Sequence, residues 1–317
     1  MITLFTAPKP FEDEHIARIQ RNAIRSWRAL GDEVEVLLLG EEPGLVEAAG
    51  DLGLTSLAVH SRAPSGAPLI DELFMLAREN ASHSILAYLN ADVILLDDFL
   101  PAVKIVEERF DQFLLVGNRW DIDYHDELEF DGGWIAAMRT LLCEHGRKHP
   151  PMGSDYFVFR KDQFEDMPGF ALGRAGWDNW MMYKARHEGW PLIDASEHIT
   201  AIHQDHDYGH LPGGQPHYRH PESSQNIELA GGYEAMFRLR DADWLLSENG
   251  LRRKHLSEWT WPRKVEAELL AKFGTGFVAR LTRMVFHPGA AIAYLRQKRK
   301  SNGGKSIEQS SGAEVSE

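Results

Sequence analysis

The first hundred residues alternate short apolar runs with longer stretches whose apolar residues recur every three or four positions. The runs at residues 2–6, 34–39 and 84–89 are typical of buried strands, and residues 15–30 carry the period of an amphipathic helix. Parallel strands need a helix-sized crossover between them, so this alternation indicates βα units. The sequence therefore predicts an α/β fold with a mostly parallel sheet flanked by helices.

Composition narrows the class of protein. The 317 residues, 43% of them hydrophobic, can bury a full core in one large domain or two small ones. Cys143 is the only cysteine, which excludes an intramolecular disulfide and Cys-rich zinc or iron–sulfur sites. The first residues lack the basic start of a secretory signal, and no apolar run reaches the length of a spanning helix. We therefore expect a cytoplasmic protein.

Charge is distributed unevenly along the chain. The formal net charge is −14, yet residues 252–305 hold 13 Lys or Arg and 3 Asp or Glu, so the remainder carries −24. An acidic body excludes general nucleic-acid binding, which needs a basic face. The basic segment fits either a peripheral contact with an anionic membrane or packing against the acidic body.

Polar residues follow the predicted strand 84–89 directly, as Asn90-Ala91-Asp92. Open α/β sheets bind ligands beyond the carboxyl ends of their strands. A carboxylate there suits a hard divalent cation shared with phosphate oxygens. An Asx-type turn would explain the same three residues without any ligand.

A second group of motifs lies in the middle of the chain and keeps a fixed order. It consists of residues 153–164 (GSDYFVFRKDQF), then Pro168-Gly169-Phe170, then Gly176-Trp177-Asp178. Together with residues 90–92, where Asn replaces the first Asp of an Asp-x-Asp motif, this order resembles GT-A glycosyltransferases. The second half is similar to the inverting β-1,4-galactosyltransferases.

The resemblance implies a GT-A-like, Rossmann-type domain over residues 1–230. The amphipathic pattern of residues 259–300 predicts that a helical C-terminal extension follows over 231–300. The Ser/Gly/Glu composition of residues 301–317 predicts a disordered tail. The implied activity is transfer of a sugar from a nucleotide-diphosphate sugar to a hydroxyl acceptor, which could be a glycan or a lipid-linked molecule.

By the resemblance, Asp178 is the general base that takes the proton of the acceptor hydroxyl, and the reaction inverts the anomeric carbon. The family often has Glu-Asp at this place, whereas this chain has Trp177-Asp178-Asn179. Asp178 could instead be a helix N-cap.

The resemblance also implies a divalent metal, Mn²⁺ or Mg²⁺, held by Asp92 and a histidine that follows the last core strand. We favour His206 and keep His203 as the alternative ligand. Imidazole ligation favours Mn²⁺ or a similar ion over Mg²⁺. Five histidines lie between residues 203 and 220, and they could equally belong to a solvated loop. Tyr208 and His210 are candidates for contact with the donor phosphates or the acceptor.

The remaining site candidates divide between donor and acceptor. For the donor nucleotide and its phosphates we expect Thr6, Ala7, Lys9, Asp71, Asn90 and Asp92. For the acceptor we expect Trp134, Asp155 and Trp177. Aromatic residues here fit a hydrophobic core as well as a sugar platform.

Two other classes of function compete with the transferase. A metal-dependent hydrolase could use His203, Asp205, His206 and Asp178 with a metal-bound water as nucleophile. A noncatalytic carbohydrate-binding protein could keep the fold without turnover, which the Asn at position 90 would suit.

Overall fold

The computed structural model describes residues 1–151, 154–206, 220–255, 261–286 and 289. The strands in these ranges are β1 (Ile2–Thr6), β2 (Val34–Leu39), β3 (Thr55–Leu57), β4 (Ile85–Leu89), β5 (Val93–Leu95), β6 (Leu114–Val116), β7 (Arg119–Ile122), β8 (Arg147–Lys148), β9 (Tyr156–Arg160), β10 (Leu192–Asp194), β11 (Ala201–Gln204), β12 (Trp244–Ser247) and β13 (Gly250–Arg253). The helices are α1 (Glu14–Arg28), α2 (Leu45–Leu52), α3 (Ile70–Asn80), α4 (Phe99–Glu107), α5 (Trp134–His145), α6 (Trp177–His187), α7 (Pro221–Leu229), α8 (Trp261–Phe273) and α9 (Phe277–Phe286).

The main sheet has nine strands within the described ranges, in the order β13-β12-β10-β6-β9-β4-β1-β2-β3. Strands β3, β2, β1 and β4 pair in parallel, and so do β6, β10 and β12. Strand β9 runs antiparallel between β4 and β6, and β13 is an antiparallel edge. The predicted α/β class with a mostly parallel, helix-flanked sheet is confirmed.

Hydrophobic packing covers both faces of this sheet. On one face, Phe5, Phe74 and Tyr88 belong to a buried aromatic cluster, while on the other Trp27 of α1 packs among strand residues. Helix α1 begins where the Asp13 side chain accepts the Ile16 N–H, which satisfies an unpaired donor of the first turn. Because β4 is buried on both faces, it reads as an unbroken apolar run, and β1, which is buried at every position, has only threonines among its apolar residues.

A smaller sheet, in the order β5-β11-β7-β8, lies next to the carboxyl end of β4. Strand β5 starts directly after Asp92 and pairs antiparallel with β11, with Val93 opposite His203. On its other side β11 pairs in parallel with β7, with His203 opposite Asp121. This register brings residues that are far apart in sequence to one point.

The C-terminal part differs in one respect from the expected helical extension. Strands β12 and β13 lie within residues 231–300 and extend the main sheet, and the helices α8 and α9 follow them. The predicted tail, residues 301–317, lies outside the described residues. Among the helices that the structure describes, none has the length and apolar character needed to cross a bilayer.

Candidate metal and donor site

The site forms where β4 ends and β11 ends. Gln204 is fully buried and makes two hydrogen bonds to the main chain of Asp92. Its backbone N–H and its side-chain Nε2 each donate to the Asp92 carbonyl oxygen at 3.2 Å. The Gln204 Oε1 accepts from Asn22 of α1 at 3.0 Å. These bonds fix the turn after β4 against β11, so the side chains of Asp92, His203 and His206 meet.

Asp92, His203 and His206 form a cluster whose ligand atoms all lie within 4.8 Å of one another. The Asp92 Oδ2 is 3.1 Å from the His206 Nε2 and 3.9 Å from the His203 Nε2. The Asp92 Oδ1 is buried and has no hydrogen-bond partner among the described residues. A buried acceptor without a partner costs about 1–3 kcal/mol, and a cation would remove that cost. One carboxylate and two imidazoles suit Mn²⁺ or a similar ion, so these residues fit the expected metal.

Lys9 also reaches this cluster. Its Nζ lies 3.3 Å from the Asp92 Oδ2 and 2.8 Å from the His206 Nε2. Burial would raise the pKa of the Asp92 carboxyl, but the nearby charges of Lys9 and then His203 hold it well below its usual range. Asp92 is therefore an ionised carboxylate at neutral pH.

His203 has acidic neighbours on both sides of its ring. Its Nδ1 lies 3.4 Å from the Asp121 Oδ1 and 3.7 Å from the Asp205 Oδ1. Burial disfavours the charged imidazole, but Asp92 and Asp121 outweigh burial and raise the pKa of His203 to about 9. A metal that binds the His203 Nε2 must displace its proton.

Asp121, His203 and Asp205 form a second group with metal-ligand spacing. Both carboxylates of this group already have partners. The Asp121 Oδ1 accepts from the Arg119 Nε at 2.8 Å, and the Asp121 Oδ2 lies 2.7 Å from the His149 Nδ1. Asp205 pairs with Arg147. The first cluster has a carboxylate oxygen without a partner among the described residues, so it is the better metal site.

Asp155 and Asn90 are tied to each other and to Arg119. The Arg119 Nη1 lies 2.8 Å from both carboxylate oxygens of Asp155, and the Asn90 Nδ2 donates to the Asp155 Oδ1 at 2.5 Å. Charge-assisted bonds of this kind fix geometry. The sequence assigns Asp155 to the acceptor, but in the structure its carboxylate is bonded to Asn90 and Arg119.

Arg119 and Asp121 are functional candidates that the sequence reasoning missed. They follow β6 after Gly117 and Asn118, at the carboxyl end of a parallel strand. The same rule that selects Asn90 and Asp92 after β4 would have selected them.

Asp178 lies in the first turn of α6, next to Trp177. Gly176 occupies the N-cap position with φ at 117°, a backbone conformation that favours glycine, so Asp178 is not the N-cap that the sequence left open. Burial raises the pKa of Asp178 to about 6, with a further contribution from Asp155 and opposition from the N–H groups of Asn179 and Gly176. A carboxyl with this pKa can act as a general base near neutral pH.

Two buried atoms mark the region expected to hold the donor. The Thr6 Oγ1, at the carboxyl end of β1, and the Asp71 Oδ1, in the first turn of α3, lack hydrogen-bond partners within the ranges that the structure describes. Nine side-chain atoms in the described part of the chain share this property, and four of them belong to residues predicted for donor or metal binding, namely Thr6, Asp71, Asp92 and His203. Ala7, between Thr6 and Lys9, packs against the hydrophobic cluster that contains Phe5, Phe74 and Tyr88.

The two predicted acceptor tryptophans lie in hydrophobic cores. Trp134, at the start of α5, is 8% exposed and its ring lies 4.9 Å from that of Phe130. Trp177 is 6% exposed, and its ring is 5.1 Å from the rings of both Tyr88 and Phe157. Packing is the role that the structure shows for both indoles.

Tyr208, His210 and His217 lie outside the described residues, and His220 caps α7 by accepting the Glu222 N–H.

Comparisons with known proteins give likenesses in structure only. No protein-family model matches the chain, and no curated protein matches its sequence. Among solved structures, TarS 1–349 of S. aureus in complex with UDP-GlcNAc aligns over 73% of this chain at 13% identity and a TM-score of 0.48. The chain spans 65% of that TarS fragment, which is less than two thirds of its length.

Two further structures align in the same way. The mannosyltransferase PcManGT of Pyrobaculum calidifontis, in complex with GDP-Man and Mn²⁺, aligns over 96% of this chain and 80% of its own, with 14% identity and a TM-score of 0.46. Glucosyl-3-phosphoglycerate synthase of Mycobacterium tuberculosis, with Mn²⁺, UDP and glucosyl-3-phosphoglycerate, aligns over 73% of this chain and 80% of its own, with 15% identity and a TM-score of 0.43. At such identities, statements about function have to come from the side chains of the site.

Proposed function

We propose that this protein is a metal-dependent glycosyltransferase that moves a sugar from a nucleotide-diphosphate donor to a hydroxyl acceptor. The observation that carries the proposal is the Asp92–His203–His206 cluster at the carboxyl end of β4, in which one carboxylate oxygen is buried and has no hydrogen-bond partner among the described residues. When bound there, Mn²⁺ or Mg²⁺ would stabilise the negative charge on the departing diphosphate. Asp92 and the two histidines would hold the ion.

Donor binding would use the residues that line the carboxyl ends of β1 and β4. Thr6 and Asp71 each offer a buried atom that lacks a hydrogen-bond partner in the described part of the chain, and Lys9 offers a charge for phosphate oxygens. Asn90 is held by Asp155, so its main chain and side chain are fixed before a donor binds. A preorganised site loses less conformational entropy on binding.

Acceptor activation would fall to Asp178. Its raised pKa allows the carboxylate to take the acceptor proton as the hydroxyl oxygen attacks the anomeric carbon. Attack by an acceptor activated in this way, opposite the departing diphosphate, gives inversion. Product anomericity by NMR distinguishes inversion from retention.

A thermal-shift panel tests the proposal directly. UDP, GDP, dTDP, CDP and their common sugar conjugates are each added with Mn²⁺, with Mg²⁺ and with EDTA. A ligand at about 100 times its dissociation constant adds about 2.7 kcal/mol, which shifts the midpoint by several degrees. A metal-dependent shift for one nucleotide is expected. A shift with metal alone and with no nucleotide would instead favour a metal-dependent hydrolase, and nucleotide-sugar binding without turnover would favour a carbohydrate-binding protein.

We further propose that α8 and α9 contact an anionic membrane, where a lipid-linked acceptor would be available. Large apolar side chains stand exposed on the end of α8 and along α9, with Phe277 80% exposed; the set is Phe273, Phe277, Leu281, Met284 and Val285. They belong to the segment 252–305, which holds 13 basic and 3 acidic residues. Apolar side chains insert into the membrane interface. Each Lys or Arg near an anionic surface adds about 1 kcal/mol of binding free energy.

Vesicle co-sedimentation checks this membrane contact. The protein is expected to bind phosphatidylglycerol-containing vesicles and to leave them in 0.5 M salt, a concentration that screens surface charge. The double variant Phe277→Ser with Val285→Ser should bind at least about tenfold more weakly, because it loses two inserted apolar side chains. Val46→Ser, which alters an exposed valine of α2, serves as the matched control. Equal binding by all three proteins, or a dimer in sedimentation velocity that the double variant abolishes, would contradict the proposal.

A further inference from the structure

The Lys9 ammonium lies between two of the candidate metal ligands. Its Nζ is 2.8 Å from the His206 Nε2 and 3.3 Å from the Asp92 Oδ2. An ammonium can only donate hydrogen bonds, so the His206 Nε2 accepts through its lone pair. The atoms that contact Lys9 are therefore atoms that would ligate a metal.

The backbone of Lys9 is fixed at this point by Gln20 of α1. Gln20, which is buried, accepts the Lys9 backbone N–H at 2.6 Å and donates to the Lys9 carbonyl oxygen at 3.0 Å. Pro8 and Pro10 flank Lys9, and each has a fixed φ and no N–H to offer. The main chain is therefore anchored, and the side chain is the part of Lys9 that can move.

Lys9 and a divalent ion exclude each other at this position. The lone pair of the His206 Nε2 serves one partner at a time, and two cations at about 3 Å repel strongly even at the effective dielectric of a protein surface. Entry of the metal thus requires that the ammonium leave Asp92 and His206. Because the main chain of Lys9 stays anchored, the released ammonium remains near the cluster.

We propose that Lys9 is a tethered counter-cation that occupies the metal position until the metal binds, and then turns to the diphosphate of the donor. The exchange with metal depends only on the Asp92–His203–His206 cluster, whereas the contact with diphosphate rests on the proposed function. The alternative is that Lys9 forms a permanent ion pair with Asp92 whether or not metal is present. The exchange predicts that removing the ammonium tightens Mn²⁺ binding and weakens diphosphate binding.

Mn²⁺ binding without nucleotide tests the exchange, with free Mn²⁺ measured by electron paramagnetic resonance. Lys9→Met keeps the aliphatic stem and removes the competing charge, so we expect Mn²⁺ to bind about tenfold more tightly than in the wild type, as for loss of a competitor of about 1.4 kcal/mol. Lys148→Met is the matched control. Lys148 is an exposed residue of β8 in the smaller sheet, and its replacement lowers the net charge of the protein by the same one unit. Mn²⁺ binding that is tighter in Lys9→Met but unchanged in Lys148→Met supports the exchange. Unchanged or weaker Mn²⁺ binding by Lys9→Met, or no Mn²⁺ binding by any of the proteins, overturns it.

Calorimetry with the nucleoside diphosphate selected by the thermal-shift panel, at saturating Mn²⁺, tests the second step. Here Lys9→Met should bind about tenfold more weakly than the wild type, opposite in sign to its effect on Mn²⁺ alone. Equal diphosphate affinity would overturn the contact with phosphate. If Mn²⁺ tightens in Lys9→Met but no nucleotide binds to either protein, the exchange stands and the glycosyltransferase proposal fails.

Discussion

Replacing Asp178 with asparagine is expected to lower turnover by about 10²–10⁴-fold, the usual contribution of a positioned general base. Asparagine keeps the shape of the side chain but cannot take a proton from the acceptor. Nucleotide binding should stay within about twofold of the wild type, because the change removes a group that acts in the transition state. The measurements are sugar transfer with the donor selected by the thermal-shift panel, and calorimetry with the corresponding diphosphate.

The pH profile adds a second readout of the same residue. Burial raises the pKa of Asp178 to about 6, so the fraction of protein with a usable base falls as the pH drops through 6. We expect kcat/KM of the wild type to decline by about tenfold per pH unit below that value, and Asp178→Asn to lack this acid limb. Asp162→Asn, at an exposed aspartate after β9, is the control for loss of one charge. Wild-type turnover in Asp178→Asn would remove Asp178 from the mechanism.

Several strands of the main sheet were predictable because burial on both faces leaves a mostly apolar run. The predicted runs at residues 2–6 and 34–39 coincide with β1 and β2, and the run at 84–89 covers β4. Strand β7 gave no such signal, since its sequence Arg-Trp-Asp-Ile is short and mostly polar. It becomes a strand through pairing with β11 about 80 residues later, and local sequence does not encode such a pairing.

The candidate site was predictable in its residue types but not in its pairings. Asp92 followed from the rule that ligands bind beyond strand ends, whereas the histidines followed from the resemblance to GT-A glycosyltransferases, and the structure brings them together. Asp155 was assigned to an acceptor, and its bonds to Arg119 became visible only when β7 was placed beside the end of β4. Trp134 shows the same limit, because an aromatic residue in a loop-like sequence fits a core and a sugar platform equally well.

Replacing Asp92 with asparagine is expected to weaken Mn²⁺ binding by at least about 100-fold. Loss of a hydrogen-bond partner of a metal ligand already costs about 10–100-fold, and Asp92 is the carboxylate of the described cluster. Gln204 holds the main-chain carbonyl of residue 92 rather than its side chain, so the turn after β4 should keep its position in the variant. The measurements are Mn²⁺ binding by electron paramagnetic resonance and the thermal shift with nucleotide, with Mn²⁺ or with EDTA.

Asp123→Asn provides the matched control for Asp92→Asn, because Asp123 follows β7 near the cluster and its side chain is 75% exposed. The control should behave as the wild type, while Asp92→Asn with Mn²⁺ should match the wild type in EDTA. A metal-dependent shift that survives in Asp92→Asn would move the ion to the group formed by Asp121, His203 and Asp205. Nucleotide binding by the wild type that persists in excess chelator would contradict the metal site, and would leave Lys9 as the cation that meets the diphosphate.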